Sequence, residues 1–341
     1  MEKDKDFLGT EPIGKLLLRL AIPTLAAQLI NMLYNVVDRI YIGHIPKVGA
    51  LALTGVGVCM PLIMIVSAFA VLVGNGGAPR ASIYMGQNNK EDAEKTLGNC
   101  FATQILVAIV LTIVLLLGNR TFLLAFGASE NTISYAAAYM NIYAVGTIFV
   151  QLTLGLNAFI TAQGFAKTGM LSVLIGAVIN IVLDPIFIYV FGMGGKGAAL
   201  ATIISQGVSC LWVLKFLTGK KTILKIRLKN LVLDGKIVTS VLSLGVSPFI
   251  MQATECLIQL TFNNGMLKYG NDLYVALMSI LFSLTQLIWM PLNGFSQGAQ
   301  PVIGYNYGAK RFDRIRQGIR ASLLIAAIWS VAVFIICHTV E

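Results

Sequence analysis

Nine apolar runs divide this chain, at residues 16–42, 50–75, 97–118, 133–156, 168–191, 196–217, 239–264, 274–298 and 318–338. Each meets or exceeds the length of about 20 residues that an α-helix needs to cross the hydrocarbon of a bilayer. Inside lipid every backbone N–H and C=O must find its partner within the segment or in a closed barrel, so runs of this length specify spanning helices. Composition agrees. The chain is 57% hydrophobic and only 12% charged, whereas soluble domains average about 25% charged. The sequence therefore predicts an all-α polytopic membrane protein.

The net charge of +10 does not indicate a nucleic-acid partner, because the charges fall between the runs. Apart from Lys47, Arg120, Lys196, Lys268 and the in-span Arg39, the Lys and Arg residues lie at the N-terminus and around the connections after spans 2, 4, 6 and 8. Cytoplasmic loops carry the excess of Lys and Arg, which predicts a cytoplasmic N-terminus. The basic connector KFLTGKKTILKIRLKN then lies near anionic headgroups, with membrane lipids as its partner. The N-terminal MEKDKDFLGTEPIGK has no signal-peptide pattern. The five cysteines lie in or at the edges of spans, without metal-ligand spacing, and behave as small hydrophobes. His44 and His338 are isolated near span ends.

The first run, PTLAAQLINMLYNVVDRIYIG, carries Asn31, Tyr34, Asn35 and Asp38 at the spacing of one helical face, opposite Leu, Ile and Val. A carboxylate in a spanning helix costs about 2.5–3.5 kcal/mol on insertion scales and marks a working site with a partner. Pro23 removes a backbone hydrogen bond and predicts a bend in the inner half of this helix. The fifth run carries Gly176, Asn180 and Asp184 at i, i+4 and i+8, followed by Pro185, and the sixth carries Thr202, Gln206 and Ser209 on one face. At about 1.5 Å rise per residue, Asp38, Asp184 and Thr202 all lie roughly 6–10 Å below the outer membrane surface. Packed together they make a polar site with two carboxylates, open to a proton or to a Na⁺ held by oxygens of Asp38, Asn180, Asp184 and Thr202. The glycines and proline of VGNGGAPRAS predict the end of the second helix.

The opening pattern recurs. LAIPTLAAQLINMLYNVVDRIYIG returns as LGVSPFIMQATECLIQLTFNNGMLKYG, with Pro23 on Pro248, and GAPRASIYMGQ returns as GAQPVIGYNYGAK. Such a repeat predicts two lobes of like topology: residues 1–217 with spans 1–6, a cytoplasmic connector at 218–238, and 239–341 with spans 7–9. Asp38 falls on the uncharged Asn263, but span 7 has its own acid, Glu255, on one face with Gln252 and Gln259. The expectation is a C-terminally truncated chain, with about nine of twelve helices present.

These segments, with INIVLDPIFIY and KGAALATIISQ, resemble the multidrug and toxic compound extrusion (MATE) family of cation-coupled antiporters, in particular the bacterial branch that includes the DNA-damage-inducible and staphylococcal multidrug exporters. The resemblance implies two six-helix lobes around a cavity that opens alternately to either side. It implies an amino-terminal-lobe cation site at Asp38, Asn180, Asp184 and Thr202, with Tyr34 in its hydrogen-bond network and Pro23 at a helix bend. Glu255 resembles the seventh-helix acid of another branch.

The function expected is export of small lipophilic or cationic compounds across the bacterial plasma membrane, coupled to H⁺ or Na⁺, by a monomer without cofactor. Asn31, Asn35, Asn157, Gln206 and Glu255 are candidate cavity residues. The alternatives are a lipid-linked precursor flippase, which needs a cationic cavity that these spans do not encode, or an exporter of one metabolite. An intramembrane aspartyl enzyme is disfavoured: no protease motif, metal cluster or nucleophile–base pair accompanies the two acids.

Overall fold

The computed structural model describes residues 7–269 and 272–339. A short helix α1 (Phe7–Thr10) precedes nine long ones: α2 (Ile13–Gly43), α3 (Gly49–Gly86), α4 (Lys90–Ala125), α5 (Ile133–Ala162), α6 (Ala166–Pro185), α7 (Gly195–Thr218), α8 (Gly235–Tyr269), α9 (Asp272–Gly308) and α10 (Phe312–Thr339). Each expected span lies within one of them, save that the fifth runs past α6 into a π-helical turn, Ile186–Val190. Among the described residues, eight segments are long and apolar enough to cross a membrane. No strand occurs among the described residues. The protein is a multi-pass, all-helical membrane protein.

One expectation about helix ends is corrected. α3 does not stop at its glycines and Pro79; it runs to Gly86. Likewise α9 continues through Pro291 and Pro301 to Gly308. A proline removes one hydrogen bond, and in lipid the neighbouring helices compensate. Gly74, Gly76 and Gly77 are buried against the α5 backbone, the α8 backbone and Phe159 respectively, so their lack of a side chain permits close approach rather than ending the helix. α2 is likewise continuous through the buried Pro23, and the adjacent Thr24 hydroxyl donates to the Gly294 carbonyl of α9 at 2.6 Å. Such an interhelical bond contributes about 0.6 kcal/mol in a membrane.

α3 packs on α4, α5, α8 and α9, while α2 packs on α6 and α9. One apolar core, including Ile42, Cys59, Tyr139, Met140 and Ala199, surrounds the α2–α3 connection and the halves of α3, α5 and α7 near it. A second, including Val73, Leu97, Phe159, Leu217 and Leu224, fills the opposite half beneath the basic connector. The third seats α1 and the start of α2 on Phe295, Ala299 and Val302 of α9. Side chains such as Leu33, Val36 and Ile40 of α2 and Ile109, Ile113 and Leu117 of α4 are exposed, forming apolar outer faces suited to lipid.

Candidate cation site between α2, α6 and α7

The three expected levels coincide. Asp38 on α2 is 7% exposed, Asp184 on α6 is 0% exposed, and their carboxyl groups lie within hydrogen-bond reach of each other. Asn180, one helical turn before Asp184, donates its amide to Asp184 Oδ1 at 3.3 Å and to Thr202 Oγ1 of α7 at 3.4 Å. The i, i+4 spacing thus makes Asn180 a strut between the carboxyl on its own helix and a hydroxyl on the next. Ser205 in turn donates to the Thr202 carbonyl at 2.8 Å. Tyr34 of α2 lies close enough to interact electrostatically with both Asp38 and Asp184.

Small residues let these helices approach. Gly176, one turn before Asn180, faces Ser209 of α7, and Ser209 Oγ donates to the Ser172 carbonyl at 2.9 Å. On the other side, the Tyr189 hydroxyl donates to the Tyr41 carbonyl at 2.7 Å and pins the π-helical turn after α6 to α2. Directly after Asp184 the backbone changes period. Pro185 has no N–H to give, and residues 186–190 form the π-helical turn, with Phe191 N bonded to Ile186 O at 2.9 Å. Such wide turns occur often at functional sites, and this one leaves Asp184 at the junction of two helical geometries.

The site is incompletely bonded. Asp38 Oδ1, Asn180 Oδ1 and Asp184 Oδ2 are all buried, and no donor among the described residues reaches any of them. Most buried polar atoms find a partner, and here three that lack one gather on neighbouring side chains. Two adjacent carboxylates with little water around them also repel unless a positive charge intervenes. Oxygen donors of this kind suit a proton or a hard cation.

The other expected residues do not join this cluster. Asn35 is exposed and donates to the Asn31 carbonyl at 2.6 Å, within its own helix. Asn157 of α5 donates to the Gly169 carbonyl at 3.3 Å, and the Gln206 carbonyl accepts from Thr153 at 3.3 Å. Each keeps one buried side-chain oxygen without a partner, Asn157 Oδ1 and Gln206 Oε1. Glu255 is exposed on α8, beside Cys256, which faces Pro61 of α3. The side chains of Gln259, Asn263 and Cys337 lie outside the described residues. Pro23 is buried within α2, about 22 Å along the helix from Asp38 at the helical rise. The residue that sequence reasoning missed is Tyr139 of α5, buried and near enough to interact with Asp38 and Tyr34. Its signal was the Tyr135, Tyr139, Tyr143 spacing, an aromatic ridge that reads equally as packing.

Long apolar helices around a buried carboxylate pair define a polytopic membrane protein of the transporter class. The profile of the MatE family matches residues 23–186 and 248–340, which is most of the chain. The chain belongs to the MatE family. It is 25% identical over 331 residues to the multidrug export protein MepA of Staphylococcus haemolyticus (strain JCSC1435), covering 96% of this chain and 71% of that protein. To the MepA of Staphylococcus aureus (strain MSSA476) it is 23% identical, covering 97% and 74%. These relatives place it on the bacterial MepA-like branch. Among solved structures, an outward-facing multidrug-resistance MATE transporter of the MOP superfamily superposes with a TM-score of 0.89 at 25% identity, covering 96% of this chain and 72% of that one. A MOP superfamily transporter from Pyrococcus furiosus Vc1 (DSM3638), described as having a binding pocket of reverse polarity, gives the same score and coverage. The architecture is therefore the two-lobe fold of MATE transporters.

Proposed function

We propose that this protein is a cation-coupled antiporter that exports lipophilic organic cations across the plasma membrane, driven by inward flow of H⁺ or Na⁺. The observation that carries this reading is the trio of unpartnered oxygens on Asp38, Asn180 and Asp184. In the mechanism, Asp38 and Asp184 hold the proton or cation, Asn180 and Thr202 position Asp184, and Tyr34 and Tyr139 shield the pair from water. Loading the site removes the repulsion between two carboxylates and favours close packing of α2 on α6. Exchange requires that the coupling ion and the exported cation favour different conformations, because a ligand shifts an equilibrium only by its differential affinity. The exposed Glu255, with Asn31 and Asn35, is available to an organic cation in the central cavity. Export of drugs enters through the name of the MepA relatives, and the basic-loop asymmetry supports an N-terminus in the cytoplasm.

The test is efflux of a fluorescent lipophilic cation from cells lacking their own pumps, under imposed H⁺ or Na⁺ gradients. Efflux that follows one gradient and disappears in Asp38→Asn, at equal membrane expression, is the expected result. Export that is indifferent to both gradients, or unaltered in the variant, contradicts the proposal.

A further inference from the structure

The segments that lead into α2 and α8 occupy equivalent places in the internal repeat, and each is gripped by the opposite lobe at the junction of that lobe's second and third long helices. Leading into α2, Leu8, Gly9 and Glu11 offer backbone carbonyls to the α9–α10 turn. Arg314 Nη2 donates to Glu11 O at 2.6 Å and to Leu8 O at 3.4 Å, and Arg311 Nη1 donates to Gly9 O. Asn306, fully buried, donates to Leu8 O at 3.1 Å and accepts from Arg314 Nε at 2.9 Å. The gripped segment is stiffened from its own side: Arg19 pairs with Glu11 at 2.7 Å and lies 4.7 Å from the Phe7 ring centroid. Leading into α8, the grip comes from the start of α4. The buried Glu94 pairs with Arg227 at 2.6 Å and accepts from the Lys225 backbone, while Asn99 Oδ1 accepts from Asp234 N at 2.7 Å.

Between the two grips the helices touch backbone to backbone. A Cβ on Gly86 of α3 would collide with the Tyr305 carbonyl of α9, and one on Gly308 would collide with the Ile83 carbonyl of α3. The same exchange recurs about three turns deeper. Gly76 lies on Val241 of α8, and its repeat counterpart Gly298 lies on Ala21 of α2. Asn88 and Lys310, each two residues past its glycine, share a left-handed backbone at φ 61° and 56°. The repeat is therefore preserved in conformation, while the chemistry of the grip is inverted: an acid holds one entry segment and two arginines hold the other.

We propose that these reciprocal clasps are a latch that holds the basic-loop mouth of the transport pathway shut, and that opening to that side requires both to release. This rests on the alternating-access reading above. The clasps bridge elements that must part if α2 and α3 are to separate from α8 and α9. Their bonds are worth most when all form together, since Arg314 and Asn306 share the Leu8 carbonyl and brace each other. A latch built on charged donors and carbonyls at a wet surface can also reopen, because water replaces each bond that is lost.

The test is reagent access to a buried seam residue. Ser82 is fully buried on α3, facing Gly304 of α9. In a protein with its native cysteines replaced, Ser82→Cys is challenged with a membrane-impermeant maleimide from the basic-loop side, in inside-out vesicles without ion gradients. The expected result is labelling about tenfold faster when Arg314→Ala and Arg227→Ala are combined, the size of effect that follows a tenfold shift in a minor population. Arg314→Lys, which keeps the charge and loses the fork, gives an intermediate rate. Ala144→Cys, fully buried in the other core, controls for general loosening. Unchanged labelling of Ser82→Cys, or an equal rise at Ala144→Cys, overturns the latch. Failure of the intact protein to export cations overturns the functional reading instead, since access is scored without transport.

Discussion

The basic connector before α8 and the cluster between α2, α6 and α7 treat buried polar groups in opposite ways. Along the connector they are satisfied. Gln163 Oε1 alone accepts from Thr222 Oγ1, Ile223 N and Leu224 N at 2.8, 2.8 and 2.7 Å, and Glu94 is paired and buried. In the cluster between α2, α6 and α7, Asp38, Asn180 and Asp184 each keep a buried oxygen without a donor. Equal burial therefore does not imply equal purpose. Saturated networks fix a connector in place; an unsaturated one stays costly until something binds. The difference separates the part of the molecule that holds shape from the part that the proposed mechanism uses for exchange.

Substitutions that reverse the difference have the largest effects. Asp184→Asn and Asp38→Asn remove the charge that draws the ion, and each is expected to reduce gradient-driven efflux at least tenfold, about 1.4 kcal/mol or more of lost coupling, with little loss of thermal stability. Gln163→Ala acts at the connector. It orphans buried donors of the connector and is expected to lower stability by about 2–4 kcal/mol, read as a lower melting temperature in detergent, while surviving protein keeps its ion dependence. Asn180→Ala sits between the two, because it releases Asp184 and Thr202 without removing a carboxyl. We expect efflux to fall several-fold and its dependence on ion concentration to shift upward. Tyr189→Phe is the mildest. It loses one bond to the Tyr41 carbonyl, at about 0.5–1.5 kcal/mol, and transport should persist at a slightly lower melting temperature.

Much of the cation cluster was legible because polar side chains are conspicuous in apolar helices. Gly176, Asn180 and Asp184 at helical spacing announced a face, and the depth of Asp38 and Thr202 matched it. What stayed hidden follows from physics that side-chain patterns do not encode. The glycines of α3 read as a helix end, yet packing against α5, α8 and α9 makes them contact points inside a continuous helix. Tyr139 was indistinguishable from core. The basic residues after span 8 read as a topology signal and not as a grip, since Arg311 and Arg314 bind backbone carbonyls, which every sequence offers equally. The π-helical turn after Asp184 was foreshadowed by Pro185 but not by any pattern of apolar residues.

The central claim is that Asp38 and Asp184 load the ion that exchanges for the exported compound. Its most direct test is counterflow in proteoliposomes containing the purified protein, with no imposed ion gradient. A lipophilic cation moving down its own gradient should drive H⁺ or Na⁺ the opposite way, and Asp38→Asn and Asp184→Asn should abolish that ion movement. Cation flux with no opposing ion flux in the unaltered protein, or ion flux that survives both substitutions, would contradict the account.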